Sequence, residues 1–192
     1  MIFPTTPSQT VGPFFAIGMP WDGGPLAVPE DTPGAIRISG TVHDGAGMPV
    51  PDSMIETWQC DPFGHFADLH GYGERSQLAG FRGFARFAAE DGDGRFEILT
   101  VKPGRLPGPP AGGSGITMQA PHIDVSVFAR GMLHRAVTRI YFADEAEANA
   151  ADPVLASVPA ERRSTLLAHP VDGGYQIDIH LQGERETVFF AV

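Results

Sequence analysis

Positive charge is scarce in this sequence. Its 192 residues include 13 Lys and Arg against 23 Asp and Glu, so the formal net charge is −10, and Lys102 is the sole lysine. A chain of this charge repels the phosphate backbone of a nucleic acid and the anionic surface of a membrane. Nucleic acids and membranes are therefore excluded as expected partners.

Cysteine and long apolar runs are scarce as well. Cys60 is the sole cysteine, so no internal disulfide can form. No segment approaches the ~18 consecutive apolar residues of a membrane span, and the opening MIFPTTPSQT lacks the basic and apolar regions of a secretory signal. We expect a cytoplasmic protein in which Cys60 is a small buried side chain rather than a nucleophile.

Glycine and proline, by contrast, are abundant. The 24 Gly and 18 Pro predict many short elements joined by tight turns rather than a helical bundle. Alternation of apolar and polar residues predicts strands at residues 35–42, 53–59, 84–88, 95–101, 122–129, 136–142, 175–181 and 187–190. About eight short strands separated by turn signals predict an all-β fold, specifically a β-sandwich.

Two short helices are predicted within this pattern. Residues 143–151 are rich in Ala and Glu and end before Pro153, and residues 159–168 begin with a proline suited to a first helical turn. The Gly- and Pro-rich residues 103–121 predict a long loop, and loops of this length are often functional.

The first 34 residues have no sustained period and predict an extended N-terminal arm. The arm nevertheless carries large aromatic side chains, namely Phe3, Phe14, Phe15 and Trp21. Aromatic surface left in water promotes aggregation, so we expect residues 1–34 to pack on another chain. Residues 35–192 are expected to form the β-sandwich of a single-domain protein.

One predicted strand carries a spacing typical of metal ligands. In HIDVSVFA, His122 and Asp124 project from the same face of the strand, and a histidine with a carboxylate can supply part of an iron or zinc site. A third ligand would come from His65, His70 or Tyr72. The alternative is a partly buried histidine that is hydrogen-bonded to the backbone or to Asp124.

Other candidate binding residues lie near the ends of elements. Arg130 follows the HIDVSVFA strand, where a guanidinium can hold a carboxylate through two hydrogen bonds or simply pair with a surface acid. Thr10, Gly12 and Pro13 in SQTVGPFF form either a rigid turn that presents a hydroxyl to a ligand or a connector.

Several motifs, taken in order along the chain, resemble those of the intradiol ring-cleavage dioxygenases. They are ISGTVHDGAGMPVPDSMIETWQCDPFGHF at residues 38–66, VKPG at 101–104 and APHI at 120–123. Thr57 departs from the apolar residue usual at its position. The opening TPSQTVGPFF and the ending GERETVFF are similar to those of one non-catalytic type of chain within this family, and the resemblance covers essentially the whole sequence.

The family's catalytic chains hold ferric iron with two tyrosines and two histidines, and the resemblance implies that this set is incomplete here. The tyrosine that follows KPG is replaced by Leu106, and the histidine pair HxH becomes His122 and Asp124. The remaining tyrosine corresponds to Tyr72 or Gly73. Because a leucine has no lone pair to donate, a site of the family's type cannot form.

The resemblance therefore implies a non-catalytic subunit, inactive alone, that pairs with a homologous beta-type chain holding Fe³⁺. Its Thr10, Gly12, Pro13 and Arg130 would line the partner's substrate pocket. The complex, a higher oligomer of such pairs, would insert both atoms of O₂ into 3,4-dihydroxybenzoate and give 3-carboxy-cis,cis-muconate.

Two other functions stay open from the sequence. One is a separate metalloenzyme that uses His122 and Asp124 with a third donor. The other is a β-sandwich binding module without a catalytic partner.

Overall fold

The computed structural model describes residues 5–10, 12, 14–67, 75–89, 93–108 and 117–191. Within these ranges strands dominate and helices are short, which confirms the predicted mostly-β fold. The strands are β1 (Ala35–His43), β2 (Met54–Trp58), β3 (Phe84–Ala88), β4 (Arg95–Val101), β5 (Leu106–Pro107), β6 (Met118–Gln119), β7 (His122–Phe128), β8 (Ala136–Phe142), β9 (Leu167–Val171), β10 (Gly174–Gln176) and β11 (Ile179–His180). The helices are α1 (Phe15–Gly18), α2 (Ala146–Ala150), α3 (Pro153–Ser157) and a 3₁₀ helix (Ala160–Leu166).

All the strands except the small β5–β6 pair join one connected sheet. Hydrogen-bonded neighbours follow the order β11–β1–β10–β9–β8–β7–β2–β3, and β4 pairs with β1. Pairing is parallel where β1 meets β10 and β11 and where β8 meets β9, and the other pairs are antiparallel. Because β3 and β4 also approach each other, the sheet nearly closes on itself like a barrel.

The interior of this sheet is filled by alternate residues of strands that lie on opposite sides of it. Ile38 of β1 and Ile98 of β4 belong to the same buried cluster as Ile55, Ile123 and Ile140 of β2, β7 and β8. Because side chains alternate along a strand, one face of each strand lies in the core and the other face is available for functional side chains.

Six predicted strands coincide closely with β1–β4, β7 and β8. The strand predicted at 175–181 is divided into β10 and β11, which lie along β1 in a single register. Asp178 interrupts it, because its Oδ1 accepts a hydrogen bond from the Thr41 N–H at 2.9 Å. The predicted strand at 187–190 is wrong. Its Thr187 and Phe190 N–H groups donate to two different carbonyls, those of His180 and Val137, so no continuous ladder forms.

The helix predictions are partly corrected. The first predicted helix is the shorter α2, and Pro153 does not merely stop it but opens α3, where Asp152 caps the N-terminus by accepting the Leu155 N–H. A proline suits this position because the first helical N–H has no partner in any case. The second predicted helix is the 3₁₀ helix, and its last two predicted residues belong to β9.

Close packing along β1 depends on the absence of a side chain at Gly40. A Cβ added there would lie 1.7 Å from the Ile177 carbonyl oxygen. We expect Gly40→Ala to lower the free energy of unfolding by about 1–3 kcal/mol, since main chain would have to move. Urea denaturation would measure the change, with Gly18→Ala as control because a Cβ at Gly18 meets nothing within 4 Å. Equal stability of the two variants would contradict this packing.

A stacked pair of histidines lies where β1 meets β11. The rings of His43 and His180 are 4.7 Å apart and nearly parallel. Burial lowers the pKa of His180, and the positive charges of Arg185 and of His43 lower it further, whereas Asp178 opposes the shift. The folded chain therefore keeps His180 neutral at a pH at which the unfolded chain already binds a proton.

This pair predicts a pH-dependent stability. Because the pKa of His180 is lower in the folded state, stability is retained above pH ~6.5 and falls as the pH drops below it. We expect His180→Gln to lose less stability than the wild type between pH 7.5 and pH 5.5 in urea titrations. Substituting the exposed His134 with Gln is the control. An unchanged pH dependence in His180→Gln would refute the contribution of this pair.

The segment predicted as an arm contains both exposed and buried residues. Phe14, Ile17 and Trp21 are exposed, whereas Ala27 and Val28 are fully buried. Among the described residues, no helix is long and apolar enough to cross a membrane.

Candidate functional site

His122 and Asp124 lie on the same face of β7, as predicted. Ile123, Val125 and Val127 alternate with them and are buried in the core. The face that carries His122 and Asp124 therefore looks away from the core, toward the neighbouring side chains of β8. This is the face on which the spacing predicted metal ligands.

His122 is a buried, neutral histidine. It is only 4% exposed, its Nδ1 lies 2.7 Å from the Ala120 carbonyl oxygen, and its ring lies 5.7 Å from that of Tyr141. Since a carbonyl oxygen only accepts, Nδ1 carries the hydrogen. Burial lowers the pKa of His122, and the Arg139 guanidinium lowers it further. This geometry corresponds to the backbone-bonded alternative given above for this residue.

Asp124 is held by an arginine that the sequence pattern did not single out. Arg139 lies opposite Asp124 in the β7–β8 register, and its Nε lies 2.8 Å from Asp124 Oδ1. The same guanidinium donates to Gln119 Oε1 at 2.7 Å. Asp124 raises the pKa of Arg139. A permanent cation thus occupies the space beside Asp124, where it would repel a metal ion.

Leu106 lies close to the same group. It pairs with Gln119 in the β5–β6 ladder, and the Gln119 side chain accepts from Arg139. Leu106 and Asp124 are therefore linked through Gln119 and Arg139. Among the described residues no cluster of three or more His, Cys, Asp or Glu side chains could hold a metal.

Of the proposed third ligands, His65 is the one that lies among the described residues, and it forms no metal-binding cluster with His122 and Asp124. His65 lies in its own loop, with Nδ1 3.8 Å from Asp61 Oδ2. Asp61 is fully buried and organises that loop by accepting from the Phe63 and His65 N–H groups and from the Ser76 hydroxyl. His70, Tyr72 and Gly73 lie outside the described residues.

Asp152 holds the main chain and side chains next to His122 in place. It is fully buried, and its carboxylate accepts hydrogen bonds from the Ala120 N–H at 2.7 Å, the Leu155 N–H at 2.6 Å and the Tyr141 hydroxyl at 3.3 Å. It thereby joins α3 to the residues that precede and flank His122. Burial raises the pKa of Tyr141 to about 12, so its hydroxyl stays protonated and can donate.

An open cleft of about 520 Å³ adjoins Asp124 and Arg139. Its walls include the aromatic side chains of Trp58, Phe84 and Phe190. Cys60 does not line it: its thiol is buried, and burial raises its pKa to about 11, which agrees with a structural rather than a nucleophilic role.

Two of the other candidate residues, Thr10 and Arg130, lie at the turn between β7 and β8. The Gly131 N–H donates to Thr10 Oγ1 at 2.8 Å, so the N-terminal segment is attached beside Arg130. The Arg130 Nε lies 3.3 Å from Asp52 Oδ2, and its side chain is 59% exposed. Gly12 is exposed, and Pro13 lies outside the described residues.

Sequence reasoning missed Arg139, Asp152 and Asp52. Arg139 had a usable signal, because it falls opposite Asp124 if the strands at 122–129 and 136–142 form an antiparallel hairpin. Asp152 had one as well, because an aspartate directly before Pro153 is typical of a helix N-cap. Asp52 had none, because its partner Arg130 is distant in sequence.

Comparisons with known proteins agree with this geometry. The Dioxygenase family model matches residues 10–183. The chain is similar to the protocatechuate 3,4-dioxygenase alpha chains of Burkholderia cepacia, at 44% identity over 97% of both chains, and of Pseudomonas putida, at 42% identity over 98% of this chain and 97% of that one.

More distant relatives include a protocatechuate 3,4-dioxygenase beta chain and a catechol 1,2-dioxygenase. The Burkholderia cepacia protocatechuate 3,4-dioxygenase beta chain is 29% identical over 79% of this chain and 66% of its own. Among solved structures, catechol 1,2-dioxygenase from Acinetobacter sp. ADP1 superposes with a TM-score of 0.57 at 20% identity, covering 81% of this chain and 54% of that one.

Proposed function

Because this chain belongs to the intradiol dioxygenase family, we propose that it is the alpha-type subunit of a protocatechuate 3,4-dioxygenase. In this proposal it pairs with a homologous beta-type chain that holds Fe³⁺. The pairs assemble into a larger hetero-oligomer in the cytoplasm. With iron bound in the partner, the complex inserts both atoms of O₂ between the two hydroxylated carbons of 3,4-dihydroxybenzoate and forms 3-carboxy-cis,cis-muconate.

The observation that carries this proposal is that the residues of this chain do not fit ferric iron. Leu106 offers no lone pair, and Asp124 is already paired with Arg139 at 2.8 Å. A cation placed beside Asp124 would be repelled by the Arg139 guanidinium. No step of the reaction is therefore assigned to a metal in this chain.

We assign the chain's own contribution to the turn after β7 and to the N-terminal segment. Thr10, Gly12, Pro13 and Arg130 would line the partner's pocket, with Arg130 receiving the substrate carboxylate. The hydrogen bond between Thr10 and Gly131 supports this grouping. Holding the aromatic acid in place and excluding water accelerate a reaction without direct participation in bond cleavage.

The surface expected to meet the partner lies in residues 1–34. Phe14 and Ile17 are 77% and 76% exposed, and Trp21 is 40% exposed. Burying such side chains stabilises an interface by ~25 cal/mol per Å² of apolar area. We propose that this arm packs on the beta-type chain. We also propose that residues 35–192 form one domain, a β-sandwich of the intradiol type in which the two halves of the sheet are the two layers.

Coexpression with the beta-type chain from the same source tests the function. We expect the two chains to copurify in equal amounts and to consume O₂ with 3,4-dihydroxybenzoate, whereas this chain alone is inactive. Ile17→Glu should weaken copurification, and Val171→Glu, which changes an exposed apolar residue on β9, is the matched control. The proposal would be contradicted if the two chains purified separately, or if the beta-type chain were fully active alone. Either result would favour a binding module as the function of this chain.

A further inference from the structure

Asp52 carries a buried carboxylate that has no hydrogen-bond partner among the described residues. Both of its oxygens are inaccessible to solvent, and neither accepts a hydrogen bond from a described residue. Buried carboxylates are normally satisfied by several donors, because an unsatisfied charge away from water is costly. An unsatisfied carboxylate at this position therefore calls for a specific explanation.

The positive charge beside Asp52 belongs to Arg130. The Arg130 Nε lies 3.3 Å from Asp52 Oδ2, and the Asp52 side chain is 15% exposed whereas that of Arg130 is 59% exposed. Arg130 thus has its Nε beside a buried anion, while more than half of its side chain is exposed to solvent. Two terminal amino groups of an arginine form a fork that matches a carboxylate.

The residues around the Asp52–Arg130 pair favour the binding of an anion on the solvent-exposed side of Arg130. Thr10 accepts a hydrogen bond from the N–H of Gly131, the residue directly after Arg130. The N-terminal arm is therefore attached to the turn that carries Arg130. Arg135 and His134 are exposed on the same turn. In a chain whose net charge is −10, this turn is locally basic, and Asp52 is the acid that contacts it from the inside.

We propose, on the basis of the function proposed above, that Asp52 is a positioning residue for Arg130. Its buried carboxylate holds the Nε edge of the guanidinium, so that the terminal amino groups stay directed toward the carboxylate of the substrate. Asp52 itself does not touch the substrate. It determines how strongly the complex prefers a catechol that carries a carboxylate.

The test compares two substrates in the assembled complex, 3,4-dihydroxybenzoate and catechol, which lacks the carboxylate. Asp52→Asn should lower the ratio of their kcat/KM values by about five- to tenfold, mainly by weakening the binding of the substrate that carries the carboxylate. The ratio does not depend on how much protein is folded. Asp52→Ser is the second variant, and Glu97→Gln, which breaks the Glu97–Arg37 pair between β4 and β1, is the matched control.

A double-mutant cycle with Arg130→Ala shows whether Asp52 acts through Arg130. We expect Asp52→Asn to cause no further loss of substrate preference when Arg130 is already alanine. A full additional loss in that background, or an unchanged ratio in both Asp52 variants while Arg130→Ala lowers it, would overturn the positioning role alone. An unchanged ratio in every variant, Arg130→Ala included, would overturn this role together with the proposed contact of Arg130.

Discussion

Replacing Arg130 with alanine in the assembled complex should weaken the binding of 3,4-dihydroxybenzoate, raising its KM about ten- to a hundredfold while kcat changes much less. A bidentate hydrogen bond between charged groups contributes roughly 1.5–3 kcal/mol, and each 1.4 kcal/mol corresponds to a factor of about ten. The loss falls on KM if Arg130 holds the substrate carboxylate equally in the bound complex and in the transition state. Steady-state O₂ uptake at varied substrate concentration measures both constants.

Two variants sharpen this experiment. Arg130→Lys keeps the charge but loses the planar fork, and we expect it to recover only part of the affinity. Arg37→Ala removes another exposed arginine that pairs with an acid, Glu97, and is expected to leave KM unchanged. If KM is unchanged in Arg130→Ala, the residue belongs to the interface or to the structure rather than to the substrate pocket.

Replacing Asp152 with alanine should lower the free energy of unfolding by about 3–5 kcal/mol. The substitution leaves the Ala120 N–H, the Leu155 N–H and the Tyr141 hydroxyl without the acceptor that they share in a fully buried place. Hydrogen bonds to a charged group contribute about 1.5–3 kcal/mol, and leaving buried donors unsatisfied adds to the loss. Urea denaturation followed by circular dichroism measures the change.

Asp152→Ser separates the two roles of this residue. A serine still caps α3 through the Leu155 N–H but is too short to reach both Ala120 and Tyr141, so an intermediate loss is expected. Asp172→Ala, at an exposed turn, is the control. A loss below about 1 kcal/mol in Asp152→Ala would show that helix capping is the main contribution of Asp152.

Arg139 explains how this face of β7 tolerates an acid without a metal. Asp124 lies opposite Arg139 in the strand register, and the guanidinium also binds Gln119. The positive charge that a metal would otherwise supply to Asp124 is thus covalently part of β8. The charge of an arginine is permanent, so Arg139 stays positively charged at any pH at which the chain is folded.

Period-two patterns predicted most strands because each has one buried face, as in β7, where Ile123 and Val125 alternate with Asp124. The same pattern did not locate the interruption at Asp178, because the alternation of apolar and polar residues continues through it. At this point the Asp178 side chain, rather than a main-chain carbonyl, accepts the Thr41 N–H. Pro153 after an Ala- and Glu-rich segment indicates the end of a helix, but a proline equally opens a helix when an aspartate precedes it.

The candidate site was predicted in part. The shared face of His122 and Asp124 follows from strand geometry alone, and Leu106 as a non-ligand follows from its side-chain chemistry. Arg139 as the partner of Asp124 requires the register of β7 and β8. The contact between Asp52 and Arg130 joins residues far apart in the chain, and no local pattern in the sequence encodes it.

Iron content and visible absorption, measured for this chain alone and for its complex with the beta-type chain, show which of the two chains holds the iron. We expect a colourless, iron-free single chain and a red complex that contains one iron per pair. Stoichiometric metal on the isolated chain would contradict this expectation, because His122 and Asp124 would then be ligands despite Arg139.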